Sequence, residues 1–391
     1  MRPFRTLHIV PDEKFIDFFH RMCLEVGGGE HTFFVVANER SQLRYIKSTP
    51  IKGTVDLSPA KREIMRLEMA KQDCIVIHFL NAVSAATVME APPGPMVVWS
   101  GWGSDYADLL PGGRPALLGP RTRQLYREHC AGILRQRPID GVRELVRPHW
   151  MRFARPMQWG GVFRRVDYFS APIEADFIAL KASLGSCFRA EFLQLNYGSV
   201  GSSCSAIPMA EDARDILVGN SASVTNNHLE VFQRLSRSDF RDRRIVVPLS
   251  YGDPWYRDRI CDAGRSMFGP NFVPIVDFLP LQEYLAVQSQ CAFGVFNHVR
   301  QEGLGNVIAM VSAGSKVVMH PDSPVRKMLA LRGCVLGSTG ANDGPIALSS
   351  LTPHQRASNR AIIESVWGDQ AVLENFKRFA NLVRSNMRAK A

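Results

Sequence analysis

The chain of 391 residues contains no Cys-x-x-Cys pair, no low-complexity segment and no internal repeat of solenoid period. Its eight cysteines (Cys23, Cys74, Cys130, Cys187, Cys204, Cys261, Cys291, Cys334) are scattered, several within apolar runs such as DCIVIHFL and QCAFGVF. That distribution argues against a disulfide framework or a zinc site, and for buried thiols in a reducing cytosol. No run approaches about 18 consecutive apolar residues, so no membrane-spanning helix is expected. The opening MRPFRTLHIVPDEKF lacks both a long apolar core and a small-residue cleavage site, so no signal peptide is expected either. Acidic residues are the minority charge: 37 Asp and Glu face 47 Lys and Arg, a formal +10. Such a surplus favours anionic partners, whether nucleic acid, phosphorylated metabolites or an anionic lipid surface.

What is present is an ordinary globular composition, 46% hydrophobic and 21% charged. Short apolar runs alternate with amphipathic stretches. LHIV precedes FIDFFHRMCLEV and TFFVVAN, and CIVIHFL precedes NAVSAATVME and PMVVWSGWG. The scheme returns as DILVGNSAS, NNHLEVFQRLSRSDF, RRIVVPLSYG, WYRDRICDAGRSMFG, FVPIVDFLP, LQEYLAVQSQ, CAFGVFNHV, LGNVIAMVSAG and SKVVMH. Apolar runs of strand length separated by helical patterns predict parallel sheets covered on both faces. Two series predict an α/β chain of two doubly wound, Rossmann-like domains facing across a cleft. The Gly- and Ser-rich segment LNYGSVGSSCSAIPMAEDARD (195–215) marks the expected boundary, giving domains 1–205 and 206–391, the latter ending in amphipathic helices from about 353.

Ligands of such sheets bind where strands end and helices begin, and four consecutive strand ends of the second series carry polar or glycine-rich loops. VGNSAS (218–223) places Gly219, Asn220 and Ser221 there, with Asn226 or Asn227 available to cap the next helix. PLSYGDPWY (248–256) adds Tyr251 and Gly252. VDFLPLQEY (276–284) adds Phe278 and Leu279, whose extended backbone can read the edge of a base. NHVRQEGLGN (297–306) is the richest: Arg300 can neutralise a diphosphate, Gly303 and Gly305 bring N–H groups close, and Glu302 can accept from sugar hydroxyls. Gln301 and Asn306 complete it. Each loop alone also reads as an ordinary turn with a helix cap; together they point to a nucleotide-sugar or similar phosphorylated ligand.

In the first series, VVWSGWGSDYADLL (97–110) sets Trp99, Trp102, Asp105 and Tyr106 after an apolar strand. A carboxylate there can deprotonate an acceptor hydroxyl, and indoles can stack on sugar faces. The alternative is that the tryptophans are core and Asp105 caps a helix. His8 and His78, each inside an apolar run, read as core histidines. Residues 121–165 hold eleven arginines and no lysine, interleaved with Trp150, Phe153, Trp159 and Phe163. That pattern suits anionic phospholipid, nucleic acid or simply a solvated basic surface.

With those motifs in place, the chain resembles glycosyltransferase family 56, the TDP-N-acetylfucosamine:lipid II N-acetylfucosaminyltransferases of enterobacterial common antigen synthesis. The resemblance rests on ILVGNS (216–221) with Asn227-His228 behind it, VVPLSYG (246–252), FLPLQEYLAVQSQC (278–291) and RQEGLGN (300–306). GWGSDY (101–106) is similar to the family's WGADLY, and Glu302 stands where the family has an amide. The resemblance is near-continuous over about 216–325. It implies a GT-B fold, a TDP-sugar donor bound by Gly219, Asn220, Ser221, Tyr251, Gly252, Arg300, Gln301, Gly303 and Gly305, and a polyprenyl diphosphate-linked saccharide as acceptor. It also implies Asp105 as the carboxylate of the transfer. No DxD motif of the metal-dependent glycosyltransferase fold occurs, so neither a metal nor another cofactor is expected. The enzyme would sit peripherally on the cytoplasmic face of the bacterial inner membrane, its arginines against anionic lipid, with no nucleic-acid partner. A sugar-nucleotide 2-epimerase of the same architecture, or a basic nucleic-acid-binding protein, are the alternatives.

Overall fold

A computed structural model describes residues 2–37, 42–137, 139, 142, 158–203, 207–240, 242–340 and 344–388. The chain forms two compact units. The first comprises Met1–Pro111, His149–Ser199 and Asp369–Ala391; the second comprises Gly112–Pro148 and Val200–Gly368.

The first unit is built on a seven-stranded parallel sheet: β1 (Phe4–Val10), β2 (Gly29–Val36), β3 (Ile51–Val55), β4 (Cys74–His78), β5 (Met96–Ser100), β6 (Tyr168–Ser170) and β7 (Glu191–Phe192). Their order across the sheet is β3-β2-β1-β4-β5-β6-β7. The second unit carries six: β8 (Asp215–Val218), β9 (Ile245–Pro248), β10 (Phe272–Ile275), β11 (Cys291–Phe296), β12 (Lys316–Met319) and β13 (Gly337–Ser338), ordered β10-β9-β8-β11-β12-β13. Each order reverses once, between β1 and β4 and between β8 and β11. Such a reversal parts the loops on either side and opens a crevice at the carboxyl ends of the two strands. The expected α/β architecture of two doubly wound sheets is therefore what the chain adopts.

The strands are apolar throughout because helices cover both faces. All five residues of β4 and β5 and all six of β11 are buried. Helix starts follow local chemistry. Asn81 accepts from the N–H groups of Val83 and Ser84 while the Ser84 hydroxyl accepts from the Asn81 N–H, closing a capping box ahead of Ala82–Met89. Thr352 and Gln355 do the same for Pro353–Trp367.

The chain crosses between units more often than a single boundary near residue 205 anticipates. Helix Asp369–Arg388 returns to the first unit because its apolar face (Val372, Phe376, Phe379, Val383) packs with Phe4, Phe19, Met96 and Leu195. Helix Pro120–Gln136, which carries the first arginines of the basic segment, belongs to the second unit. Its N-terminus is tied there by Glu230, whose carboxylate accepts from the N–H groups of Arg121 and Thr122 at 2.9 and 3.0 Å and from the Thr122 hydroxyl at 2.6 Å. Asn227 accepts from the Gly119 N–H through its Oδ1 at 2.8 Å and donates to Leu117 O at 3.0 Å. The contact is close enough that a Cβ on Gly119 would stand 2.3 Å from Glu230 Oε1.

Of the aromatics interleaved with the arginines, Phe163 is fully buried and stacked on Trp99, and Trp159 is half-buried against the same cluster. They are core residues and not a membrane-facing row; Trp150 and Phe153 lie outside the described residues. The seven described cysteines form no disulfide, as expected, and all but Cys187 are buried.

Glu230→Ala should strip three donors at once, leaving two N–H groups at the helix start without partners. A loss of about 2–4 kcal/mol is expected, read by chemical denaturation. Cleavage by a protease within 112–137 should accompany it under native conditions.

Candidate active site

At the switch point of the second sheet, the loops after β8 and β11 are bound into one polar cluster. The Asn226 amide is its hub. Asn226 Oδ1 accepts from the Asn220 N–H at 2.8 Å and lies 2.9 Å from His298 Nε2; its Nδ2 donates to Ser221 Oγ at 3.2 Å and to Glu302 Oε1 at 3.4 Å. Asn226 is 1% exposed. Glu302 also accepts from the Thr225 hydroxyl at 2.5 Å and pairs with Arg300 Nη2 at 3.0 Å. Asn220 Nδ2 donates to Tyr251 Oη at 3.0 Å, which brings in the loop after β9.

Several atoms of this cluster are buried without a protein partner: Asn220 Oδ1, His298 Nδ1, Arg300 Nε and Gln301 Oε1. Buried polar groups in folded proteins are nearly always paired, and each exception asks for an explanation such as a ligand or ordered water. Here the exceptions gather where β8 and β11 end and helix Leu304–Ala313 begins. That helix N-terminus supplies the partial positive charge that favours an anion.

Three of the four glycines are also required by the protein's own packing. Gly219 (φ +69°) is closed in by Asn226 Oδ1 and His228 Nε2, each 2.6 Å from where a Cβ would stand, and a Cβ on Gly252 (φ +116°) would stand 2.5 Å from the Ala222 backbone. A Cβ on Gly303 (φ +63°) would stand 3.1 Å from Asn220 and 3.2 Å from His298. These three are required by the protein's own backbone. Gly305 alone of the four has open space where a Cβ would project. Glu302, read as an acceptor for sugar hydroxyls, is instead occupied in holding Arg300, Thr225 and Asn226. Asn306 is tied to Gln288, whose Nε2 donates to its Oδ1 at 3.0 Å. Ser221 is 2% exposed and serves the hub, whereas Tyr251 and Phe278 are 60% and 72% exposed, and Leu279 is half-buried. Neither Asn226 nor Asn227 caps a helix through its side chain. The left-handed Asn227 (φ +53°) instead bonds the Leu117, Thr225 and Asn297 carbonyls. Neither Thr225 nor His298 stands out in the sequence, and Asn226 does so only as a helix cap; the one signal for them is their place in two strand-end loops.

In the first unit, Asp105 is a loop anchor. It is 3% exposed and accepts from the Leu80 N–H at 3.0 Å, Trp99 Nε1 at 2.9 Å and the Trp102 N–H at 2.8 Å. Burial raises its pKa while these donors lower it. With three donors on an enclosed carboxylate, the expected proton-accepting role gives way to positioning of the 79–105 loops. Trp99 is wholly buried against Phe163, Phe169 and Phe188, and Tyr106 is 1% exposed with its hydroxyl donating to Asp176 Oδ2 at 2.6 Å. Neither ring can stack on a sugar. Trp102 remains half-buried beside Phe15, Phe79 and Tyr197, its Nε1 buried without a partner. Phe79, at the end of β4, holds φ +72°, a strained conformation for a residue with a side chain.

Residues 201–336 match the family model described as 4-alpha-L-fucosyltransferase glycosyl transferase group 56. Among solved structures, the chain is similar to a glycosyltransferase from Rickettsia africae (9% identity, 99% of this chain and 100% of that one, TM-score 0.64). It is also similar to an α,α-trehalose 6-phosphate synthase from Burkholderia multivorans (10%, 100% of both, 0.58). A third is AviGT4, a glycosyltransferase involved in avilamycin A biosynthesis (12%, 98% and 97%, 0.51). At such identities these likenesses establish the fold.

Asp105→Ala should cost about 3–5 kcal/mol in chemical denaturation, because it orphans three buried donors; a residue serving proton transfer alone would change stability little. Burial lowers the pKa of His298 to about 4 and of His228 to about 3. The unfolded chain takes up protons below about 6.5, so these groups contribute full stability above that pH and lose it as pH falls towards 4. Denaturant midpoints should therefore drop between pH 7 and 5, and His298→Asn should flatten that slope by about 1.4 kcal/mol per pH unit.

Proposed function

We propose that this chain, a GT-B glycosyltransferase whose residues 201–336 match group 56, moves a sugar of the 4-acetamido-4,6-dideoxygalactose type from TDP to a polyprenyl diphosphate-linked saccharide in surface polysaccharide synthesis. The observation that carries the reading is the set of unpartnered buried atoms on Asn220, His298, Arg300 and Gln301 at the switch point of the second sheet. In sheets of this kind that is the position at which a diphosphate meets a helix N-terminus. Tyr251 and Phe278, exposed beyond the ends of β9 and β10, would take the nucleoside.

In this mechanism the bond between the anomeric carbon and the diphosphate oxygen breaks as the acceptor hydroxyl oxygen bonds to that carbon and gives up its proton to solvent. Negative charge gathers on the departing TDP. Arg300 meets it, and Glu302 keeps the guanidinium in place through its 3.0 Å contact while itself pinned by Thr225 and Asn226. Fixed charge that needs no reorganisation stabilises such a leaving group more than mobile solvent does. In this proposal the step needs no divalent cation.

Among the described residues no helix is long and apolar enough to cross a membrane. The exposed Arg121, Arg127, Arg135 and Arg137 along helix Pro120–Gln136 and just beyond it support a peripheral seat on the anionic cytoplasmic leaflet.

The test is a thermal shift of the purified chain against TDP, UDP, GDP, ADP and a short RNA, since a ligand of the folded state raises its stability. A selective response to TDP is expected. Arg300→Ala should abolish that response and lower kcat/KM with the TDP-sugar by about 100- to 1000-fold. A selective response to UDP or GDP would overturn the fucosamine donor; a response to RNA alone would overturn the donor site. Conversion of free nucleotide-sugar without acceptor would mean an epimerase.

A further inference from the structure

The face of the first sheet that lies under helix Phe15–Val26 is unusually polar for a core. β1 and β2 pair so that Thr6 stands opposite His31 and His8 opposite Phe33, and β4 sets Val76 beside His8. His8, His31 and His78 therefore project from the same face as diagonal neighbours. His8 Nε2 lies 2.9 Å from His31 Nδ1, and His8 Nδ1 lies 3.1 Å from His78 Nε2. Above them the helix contributes Cys23, 4% exposed. One ligand atom each from His8, Cys23 and His31 all fall within 4.8 Å of one another.

We propose that His8, Cys23 and His31 form a binding site for a soft divalent transition-metal ion of the zinc type, which ties β1, β2 and helix Phe15–Val26 together. Two imidazoles and a thiolate are the donor set such ions prefer, and metal–ligand bonds of about 2.0–2.3 Å bring tetrahedral ligand atoms to roughly 3.4–3.7 Å apart. The His8–His31 spacing of 2.9 Å lies just under that range and all three ligand atoms fall within 4.8 Å, so small side-chain adjustments reach it. The His8 ring is held firmly, stacked on Phe33 at 4.3 Å and meeting the edge of Phe19 at 5.5 Å.

The outer contacts agree. A ligating histidine ordinarily donates its second ring N–H to a neighbour, which sets its tautomer. With His8 Nε2 on the metal, Nδ1–H donates to His78 Nε2, and His78 is the supporting residue. Without a metal, the three rings form only a hydrogen-bonded run. In both states His78 Nδ1 and the nearby Thr6 hydroxyl stay buried without partners. His31, the one ligand not fully buried, gives the ion its way in. The ion's role is structural. It departs from the expectation that the chain carries no metal, because these ligands are brought together only by strand pairing, and it does not depend on which sugar is transferred.

The full-length chain, stripped with a chelator, is titrated with Co²⁺ as a spectroscopic stand-in, and metal content is measured after dialysis against Zn²⁺. Close to one ion per chain is expected, with near-ultraviolet absorption from thiolate-to-cobalt charge transfer. Cys23→Ser should lose that absorption, and His31→Asn, at the partly exposed ligand, should weaken binding roughly tenfold or more. If Cys23→Ser does not fold, His31→Asn decides alone. Metal content well below one ion per chain in the unaltered protein overturns the proposal. So does an absorption that survives in Cys23→Ser, or an affinity unchanged in His31→Asn.

Discussion

The second unit depends on a single primary amide. Asn226 joins the loops that follow β8 and β11, two strands adjacent in space but more than 70 residues apart in the chain. It uses both its acceptor and its donor capacity, and no other residue type of its size offers both. A carboxylate would lose the donation to Ser221 and Glu302; an apolar residue would strand the Asn220 N–H and the His298 ring. Because Glu302 is held from the same point, the orientation of Arg300 follows from Asn226 at one remove.

That arrangement changes what the charged loop means. Arg300 and Glu302, two residues apart, form an almost enclosed pair, with side chains 12% and 9% exposed. A pair of this kind adds little net charge to its surroundings and is only weak evidence of stabilisation in itself. Its value lies in orientation, since a guanidinium with fixed geometry presents its remaining N–H groups in one direction. The unpartnered Nε of Arg300 is consistent with a group kept ready for a ligand oxygen.

The same principle of borrowed anchoring recurs at Glu230. A helix ordinarily satisfies its first N–H groups with its own cap. Helix Pro120–Gln136 begins at Gly119, which has no side chain to offer, and takes its cap from a helix more than 100 residues later. The first arginines of the basic segment are thereby attached to the unit that holds the polar cluster. The first unit has its own counterpart: Asp105 gathers three N–H groups and sets Trp102 beside the strained Phe79.

Much of the architecture was legible because parallel strands buried on both faces must be apolar from end to end, and CIVIH, MVVWS and CAFGVF are. The strand-end loops were legible too, since polar and glycine residues at those points break a pattern that is otherwise regular. Their individual roles were not. Gly219, Gly252 and Gly303 look in sequence like openings for a ligand, yet the space beside each is filled by the protein itself. Trp99, Asp105 and Tyr106 look like a cleft lining, yet the loop turns them into the core. Local sequence cannot distinguish these cases, because burial depends on what packs from elsewhere in the chain. The histidines make the same point from the other side. His8, His31 and His78 are isolated in sequence and become neighbours only through strand pairing and register, and Cys23 joins them only when its helix crosses that face. Sequence by itself determined the strands, their parallel arrangement and the polar loops at their ends, because hydrophobic periodicity is a local property. Tertiary structure alone decided which polar residues meet, since hydrogen bonds over a few ångströms depend on contacts between segments that the chain order keeps far apart.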